Sequence, residues 1–310
     1  MASPDNSASS GNFYRALQIL KSMRPHQWSK NVLLFAGVIL SYHFHNLYLI
    51  GRASAGFGVF CMLAGAIYLL NDLADLENDR LHPRKMRRPL AAGKLRKGEA
   101  FLSALFLIIA GHVWAFWLGW AFGFSALAYF ITTILYSQFF KHVVILDIIL
   151  LAFGFVIRAI AGIMVIRVPE GPEIPMTPWF VICIFFLALF IAICKRRHEM
   201  MFVKQASDHR RVLGEYSMAM IDQMVAVCTT SSILAYVLYL VSAYKMNDHG
   251  EGMRMLVTLP FVIYGIFRYL YLVYRCSEGG EPEMLMLKDK PLLLCALLWL
   301  VLLLVLQSWN

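Results

Sequence analysis

About nine long apolar runs, near 31–48, 53–71, 100–118, 122–140, 146–166, 178–194, 222–243, 255–274 and 291–308, account for most of this 310-residue chain. A helix needs roughly 20 apolar residues to cross the hydrocarbon core of a bilayer. The runs are separated by short charged stretches and show no alternation, so the chain is expected to be an all-α, polytopic membrane protein with nine transmembrane helices. Its composition, 60% hydrophobic and 15% charged, belongs to the same class.

Residues 1–12 are small and polar, lack the apolar core of a cleaved signal, and read as a disordered tail. The rest, 13–310, reads as one nine-helix transmembrane domain. Within it, residues 13–28 mix Phe13, Leu17, Ile19, Leu20 and Trp28 with Arg15, Lys21 and Arg24, the pattern of an interfacial helix. Six single cysteines without a CxxC pair point to neither a disulfide framework nor a zinc site.

Alternating nine crossings sorts the cations. Of 28 Lys and Arg, 22 fall in segments 1–30, 71–100, 141, 195–211 and 275–290, all on one side. The positive-inside rule makes that side cytoplasmic, with the amino terminus inside. The net charge of +9 is therefore a topology signal and gives no reason to expect a nucleic-acid partner. Acidic residues contribute little to that rule, yet Asp72, Asp75, Asp79 and Asp147 lie on the same side. Charge bias alone does not explain them.

The acids of Asn71-Asp72-Leu-Ala-Asp75-Leu-Glu-Asn-Asp79 recur at i, i+3 and i+7, along one helical face. Carboxylates so placed repel unless a cation sits among them, and hard oxygen ligands suit Mg²⁺, which binds one or two carboxylates together with substrate phosphates. The ladder thus points to a metal-bound diphosphate. The alternative is a solvated acidic helix end balanced by the basic run that follows. In that run Pro83 breaks the helix, and Lys85, Arg87 and Arg88 supply cations suited to phosphate.

Asn71-Asp72-xx-Asp75-xxx-Asp79 followed by His82-Pro83 and Arg88-Pro89 resembles the signature of the UbiA superfamily of intramembrane prenyltransferases, whose nine-helix fold agrees with the span count. Arg24-Pro25-His26-Gln27-Trp28-Ser29-Lys30-Asn31, Tyr136-Ser137 with Lys141 and Asp147, Arg158-Ala-Ile-Ala-Gly162, Lys195-Arg196-Arg197-His-Glu199 and Gly280-Glu-Pro-Glu283 resemble its decaprenyl-phosphate phosphoribosyltransferase branch. That branch implies transfer of 5-phosphoribose from 5-phosphoribosyl-1-diphosphate (PRPP) to a polyprenyl phosphate, with Mg²⁺ as cofactor, at the cytoplasmic face of the cell membrane and in cell-envelope precursor synthesis. Typical relatives ionise a prenyl diphosphate with a second aspartate-rich motif. Here the Tyr136 to Asp147 region has one Asp and one Lys, favouring a single metal-diphosphate site beside a cationic acceptor pocket.

On this reading Asp72, Asp75 and Asp79 hold the metal. Asn71, Lys85 and Arg88 support the donor diphosphate, and Lys30 reaches the 5-phosphate. Lys141 and Arg158 hold the lipid phosphate with Tyr136, Lys195 and Arg196, and Asp147 serves the metal or the ribose. Plainer readings stand beside these: Asp147 and Arg158 neutralise one another, Lys195 to Glu199 are ordinary membrane-edge charges, and Arg268 is a snorkelling anchor. Rival functions are prenyl transfer to an aromatic or other acceptor, and transport of an anionic metabolite. Oligomeric state is not legible, and a homo-oligomer stays open.

Overall fold

In a computed structural model the chain folds into helices, with no strand among the described residues, which are 6–41, 43–83, 85–168, 176–202, 211–243, 254–276, 280 and 282–308. In chain order they are α1 (Asn6–Ser22), α2 (Ala36–Leu40), α3 (Leu47–Ala74), α4 (Leu76–Leu81), α5 (Lys97–Leu118), α6 (Trp120–Gln138), α7 (Leu146–Ile166), α8 (Pro178–Phe202), α9 (Met218–Ala243), α10 (Leu259–Tyr274), α11 (Pro282–Lys288) and α12 (Lys290–Ser308). Eight of these, α3, α5 to α9, α10 together with the 3₁₀ turn before it (Leu256–Tyr274), and α12, are long and apolar enough to cross a membrane.

The bundle is apolar inside and out, as a lipid-embedded protein must be. Leu34, Phe60, Phe122 and Ile166 are fully enclosed in one core, and Ile148, Phe190, Ile221 and Tyr269 in a second. At the same time Trp117, Trp120, Phe106 and Val227 point outward and are largely exposed. Helices α3 and α7 are the most enclosed, and α5, α6 and α12 the least. The short helix α1 is similarly inverted: Gln18 and Ser22 are buried against the protein while Phe13, Tyr14, Leu17 and Leu20 face outward. It begins at Asn6, ahead of the expected start at 13, because extending a nucleated helix adds one bond for each residue fixed.

The expected first span, 31–48, takes a different form. Pro25–Phe35 is an 11-residue 3₁₀-helix that leads directly into the five residues of α2. Such a run is long for a 3₁₀-helix. Its rise of about 2.0 Å per residue, against about 1.5 Å in an α-helix, carries Pro25–Leu40 over about 30 Å, close to the hydrocarbon thickness. A ninth α-helix is therefore absent among the described residues, although this segment covers a comparable length.

Close backbone approach explains the tight winding. A Cβ added at Gly162 of α7 would lie 2.3 Å from the Leu34 carbonyl oxygen, and one at Gly37 would lie 2.9 Å from the Gly162 carbonyl oxygen. Small residues let helices in lipid pack backbone to backbone in this way. Polar bonds secure the same junction: Arg158 donates through Nε to Asn31 Oδ1 (2.8 Å), through Nη1 to the Gly154 carbonyl (2.8 Å) and through Nη2 to Tyr129 Oη (2.9 Å). Asn31 Nδ2 completes the set on Cys61 Sγ at 3.4 Å. Arg158 and Asp147, paired on one sequence reading, are not partners.

The Arg268 side chain is likewise engaged by protein. It donates to both oxygens of Asp289 at 3.2 and 2.8 Å, and Asp289 Oδ1 accepts from the Leu292 amide at the start of α12. This fork-to-carboxylate bond joins α10 to α12, replacing the expected snorkelling anchor, and holds the Asp289 carboxyl below its ordinary range.

Replacing Gly162 by Val must push the 3₁₀-segment off α7, with an expected cost of about 1–3 kcal/mol. Thermal unfolding of detergent-solubilised protein should show a lower midpoint, whereas Gly51→Val, at a position with open space around it, should not. Equal midpoints for the two variants would contradict the close-packed junction.

Candidate active site

Helix α3 is long because its run from Leu47 is apolar and Asn46 caps it, accepting from the Tyr48 and Leu49 amides. It delivers Asn71 and Asp72 to its far end. Asp75 is the junction residue (φ −93°, ψ 9°) between α3 and α4, and the i to i−4 bonds Asp75 N to Asn71 O and Asp79 N to Asp75 O carry the helical register across it. The expected one-faced ladder therefore survives a slight break. Asp72 and Asp79 are buried, at 2% and 1% exposure, and Asp75 is half-buried.

The loop after α4 turns back over this end, anchored by Leu90 and Leu95 in a third apolar cluster with Leu69, Leu76 and Ala100. It brings Arg88 between the acids: Nη1 lies 3.1 Å from Asp72 Oδ1 and also bonds Asp79 Oδ2. Lys85 Nζ stands 3.6 Å from Asp79 Oδ1. From the other side Arg24 Nη2 reaches Asp72 Oδ1 at 2.5 Å, with its guanidinium 4.7 Å above the Tyr68 ring. Sequence reading placed Arg24 in a motif without giving it a role. No local signal revealed its partner; Arg24 holds a left-handed backbone (φ 54°, ψ 67°) immediately before Pro25, where an extended one is usual.

A chain of contacts runs from the ladder to a second polar cluster. Ser137 at the end of α6 donates to Asn71 Oδ1 at 2.7 Å, and its neighbour Tyr136 lies within electrostatic reach of Arg196. Arg196, 1% exposed near the end of α8, donates to Asp147 Oδ2 (2.8 Å) and Glu199 Oε2 (2.6 Å). The other Asp147 oxygen accepts from Tyr216 at 2.7 Å, and the Tyr216 oxygen accepts from the Ile145 amide at 2.6 Å. Burial and the bond to Asp147 push the Tyr216 phenol above its ordinary value. The ends of α3, α6 and α8 and the starts of α4 and α7 thus meet at one end of the bundle.

Several expected site residues occupy different positions. Asp147 is fully enclosed, with its two oxygens bonded to Arg196 and Tyr216. Arg158 sits in the junction with the 3₁₀-segment, 8% exposed, with Nε, Nη1 and Nη2 each bonded to protein. Lys30 bonds Gln27 Oε1 at 2.6 Å on the 3₁₀-segment. Lys141, half-buried in the turn Phe140–His142, has no ion pair or hydrogen bond from its side chain among the described residues. Lys195 is half-buried one residue before Arg196. Arg197 faces away from this cluster, bonding Asp222 at 2.9 Å and stacking 3.7 Å over Tyr274. In the Gly280 to Glu283 motif, Gly280 packs on His198, while Glu281 and the Glu283 side chain lie outside the described residues.

The donor set fits a hard divalent cation. Asp72 Oδ2 and Asp79 Oδ1 are buried oxygens without a hydrogen-bond partner, and both carboxylates touch the same nitrogen of Arg88. Among the described residues no three His, Cys, Asp or Glu side chains form an all-protein metal cage. Mg²⁺ does not need one, because it prefers a few carboxylates plus phosphate and water.

Comparisons with known proteins agree with this architecture. A Mycolicibacterium smegmatis protein called decaprenyl-phosphate phosphoribosyltransferase is 31% identical, over 91% of this chain and 90% of its own. A Corynebacterium glutamicum protein of the same name is 33% identical, over 91% and 84%. The fold is similar to that of a UbiA homolog from Archaeoglobus fulgidus solved with GPP and Mg²⁺, with TM-score 0.65 and 21% identity, covering 94% of this chain and 99% of that one. The chain matches the UbiA prenyltransferase family over residues 32–301, and with its membrane-spanning helices and polar end it belongs to that family of transferases.

Proposed function

We propose that this protein transfers 5-phosphoribose from PRPP to a polyprenyl phosphate, decaprenyl phosphate in the relatives' name, and releases diphosphate. The reaction would run at the cytoplasmic face of the cell membrane, within one catalytic domain spanning residues 13–310, and would feed cell-envelope polysaccharide synthesis. The observation that carries this reading is the pair of buried oxygens on Asp72 and Asp79 that accept no hydrogen bond, beside Arg24, Arg88 and Lys85. It is a site for a metal-bound diphosphate, in a chain whose relatives bear that activity's name over most of their length.

Asp72, Asp75 and Asp79 would hold Mg²⁺, which when bound supplies charge neutralisation to the departing diphosphate. Lys85 and Arg88 receive diphosphate oxygens, and Asn71, oriented by Ser137, borders the same space. Lys30 is the candidate for the 5-phosphate. On the acceptor side Lys141 and Arg196, with Tyr136 and Lys195, hold the lipid phosphate, while Asp147, Tyr216 and Glu199 fix the direction of Arg196. The lipid phosphate oxygen attacks the anomeric carbon as the carbon–diphosphate bond breaks, through an oxocarbenium-like state. A phosphate anion is already nucleophilic and needs no strong general base. Preorganised cations then stabilise the leaving charge.

Prenyl transfer from a prenyl diphosphate is the rival. It calls for a second set of carboxylates available to metal, and here the acids opposite the ladder, Asp147 and Glu199, are both bonded to Arg196. With purified protein, Mg²⁺ and labelled donors, PRPP with polyprenyl phosphate should give lipid-soluble label and prenyl diphosphates should not. The reverse pattern would establish the rival. Asp72→Asn should lower kcat by about 10²-fold or more while the protein still folds. Asp147→Asn should act mainly on KM for the lipid phosphate, and an equal fall in PRPP affinity would contradict its assignment to the acceptor side.

A further inference from the structure

We propose that Arg24 and Arg88 are resident counter-ions of the acid cluster that let go of it only when a diphosphate is present to receive them. The site then takes up divalent cation and diphosphate together and binds the cation alone poorly. The inference rests on the donor-site reading above.

Geometry gives the first reason. Arg88 Nη1 touches both Asp72 and Asp79, so it occupies the point between the two carboxylates that a shared cation would need. Arg24 arrives from the far side of the cluster, 48 residues away in sequence, and engages the same Asp72 oxygen. The Arg24 and Arg88 side chains are 23% and 26% exposed, while the Asp72 and Asp79 side chains they bond are at 2% and 1%. The cations are thus nearer to solvent than the acids. The Arg24 guanidinium also lies 4.7 Å over the Tyr68 ring, a contact that does not depend on the carboxylate.

Charge gives the second reason. The formal charges of Asp72, Asp75 and Asp79 equal in number those of Arg24, Lys85 and Arg88, whose ion pairs among the described residues fall on Asp72 and Asp79. A divalent cation entering alone displaces guanidiniums without removing their charge, and leaves two excess positive charges in a partly buried site. Diphosphate brings the opposing charge. It also offers planar guanidiniums the bidentate oxygen pairs that the single-nitrogen contacts to Asp72 and Asp79 do not supply. Cation and diphosphate therefore favour one another through the arginines, and linkage requires the effect to be reciprocal.

Mn²⁺ binding to the detergent-solubilised full chain, followed by electron paramagnetic resonance with and without inorganic diphosphate, tests this directly. Titrations of diphosphate into buffer correct for the complex formed in solution. Wild type should bind Mn²⁺ on the order of 10-fold more tightly when diphosphate is present. Arg24→Met and Arg88→Met should bind Mn²⁺ alone more tightly than wild type and lose most of the diphosphate enhancement, while Arg24→Lys should retain part of it. Thermal unfolding of each variant reports whether it is folded, and the wild-type measurement stands without them. Equal Mn²⁺ affinity with and without diphosphate in wild type overturns the exchange and leaves the metal site intact. No Mn²⁺ binding under either condition overturns the metal site itself, and the donor-site reading with it.

Discussion

The Arg88 guanidinium, shared between Asp72 and Asp79, is the interaction on which the polar end of this bundle depends. Two carboxylates almost sealed from solvent at the end of a membrane-spanning helix carry a large desolvation cost, which only close opposite charge offsets. Satisfying them requires a loop that returns over the helix end, and the apolar anchors Leu90 and Leu95 hold that loop down. It requires a second cation from before the first crossing, and Arg24 supplies it. The architecture around the ladder follows from keeping those two acids charged.

The remaining buried charges fall into two physical groups. Arg158, Arg197 and Arg268 direct their guanidiniums at protein acceptors and aromatic rings, joining helix to helix at the cost of immobilising a long side chain. Arg158 has three such donors engaged, one from each of its nitrogens. The ladder is different, because each buried carboxylate keeps one oxygen without a hydrogen bond and Asp75 keeps its whole side chain uncommitted among the described residues. An unsatisfied buried acceptor is costly, and two such oxygens on neighbouring acids are what the proposed metal-diphosphate site rests on.

The sequence carried the membrane class and the ladder, because both are local signals: hydropathy accumulates along one segment, and i, i+3, i+7 spacing fixes a helical face through the break at Asp75. Partners were a different matter. Asp147 is bonded to a residue 49 positions away and Arg24 to one 48 positions away. Spacing cannot reveal which of several nearby cations a carboxylate meets, so Asp147 was matched with Arg158 on one reading when Arg196 holds it. The 3₁₀ form of Pro25–Phe35 was also hidden, as was its close backbone contact with α7, where Leu34 meets Gly162, a residue far away in sequence.

That tight segment links the structural charges to the chemical ones. Arg24 is the residue immediately before it, turned by a left-handed backbone and followed by Pro25, so the direction of its side chain is set by how Pro25–Leu40 lies against α7. The lie of the segment is fixed in turn by Asn31 on Arg158 and by the contact of Leu34 with Gly162. Arg158 is bonded to the segment that follows a cation touching Asp72. A buried arginine inside the bundle thereby contributes to the site through backbone placement, because a strut of about 30 Å with one end pinned leaves little freedom at the other.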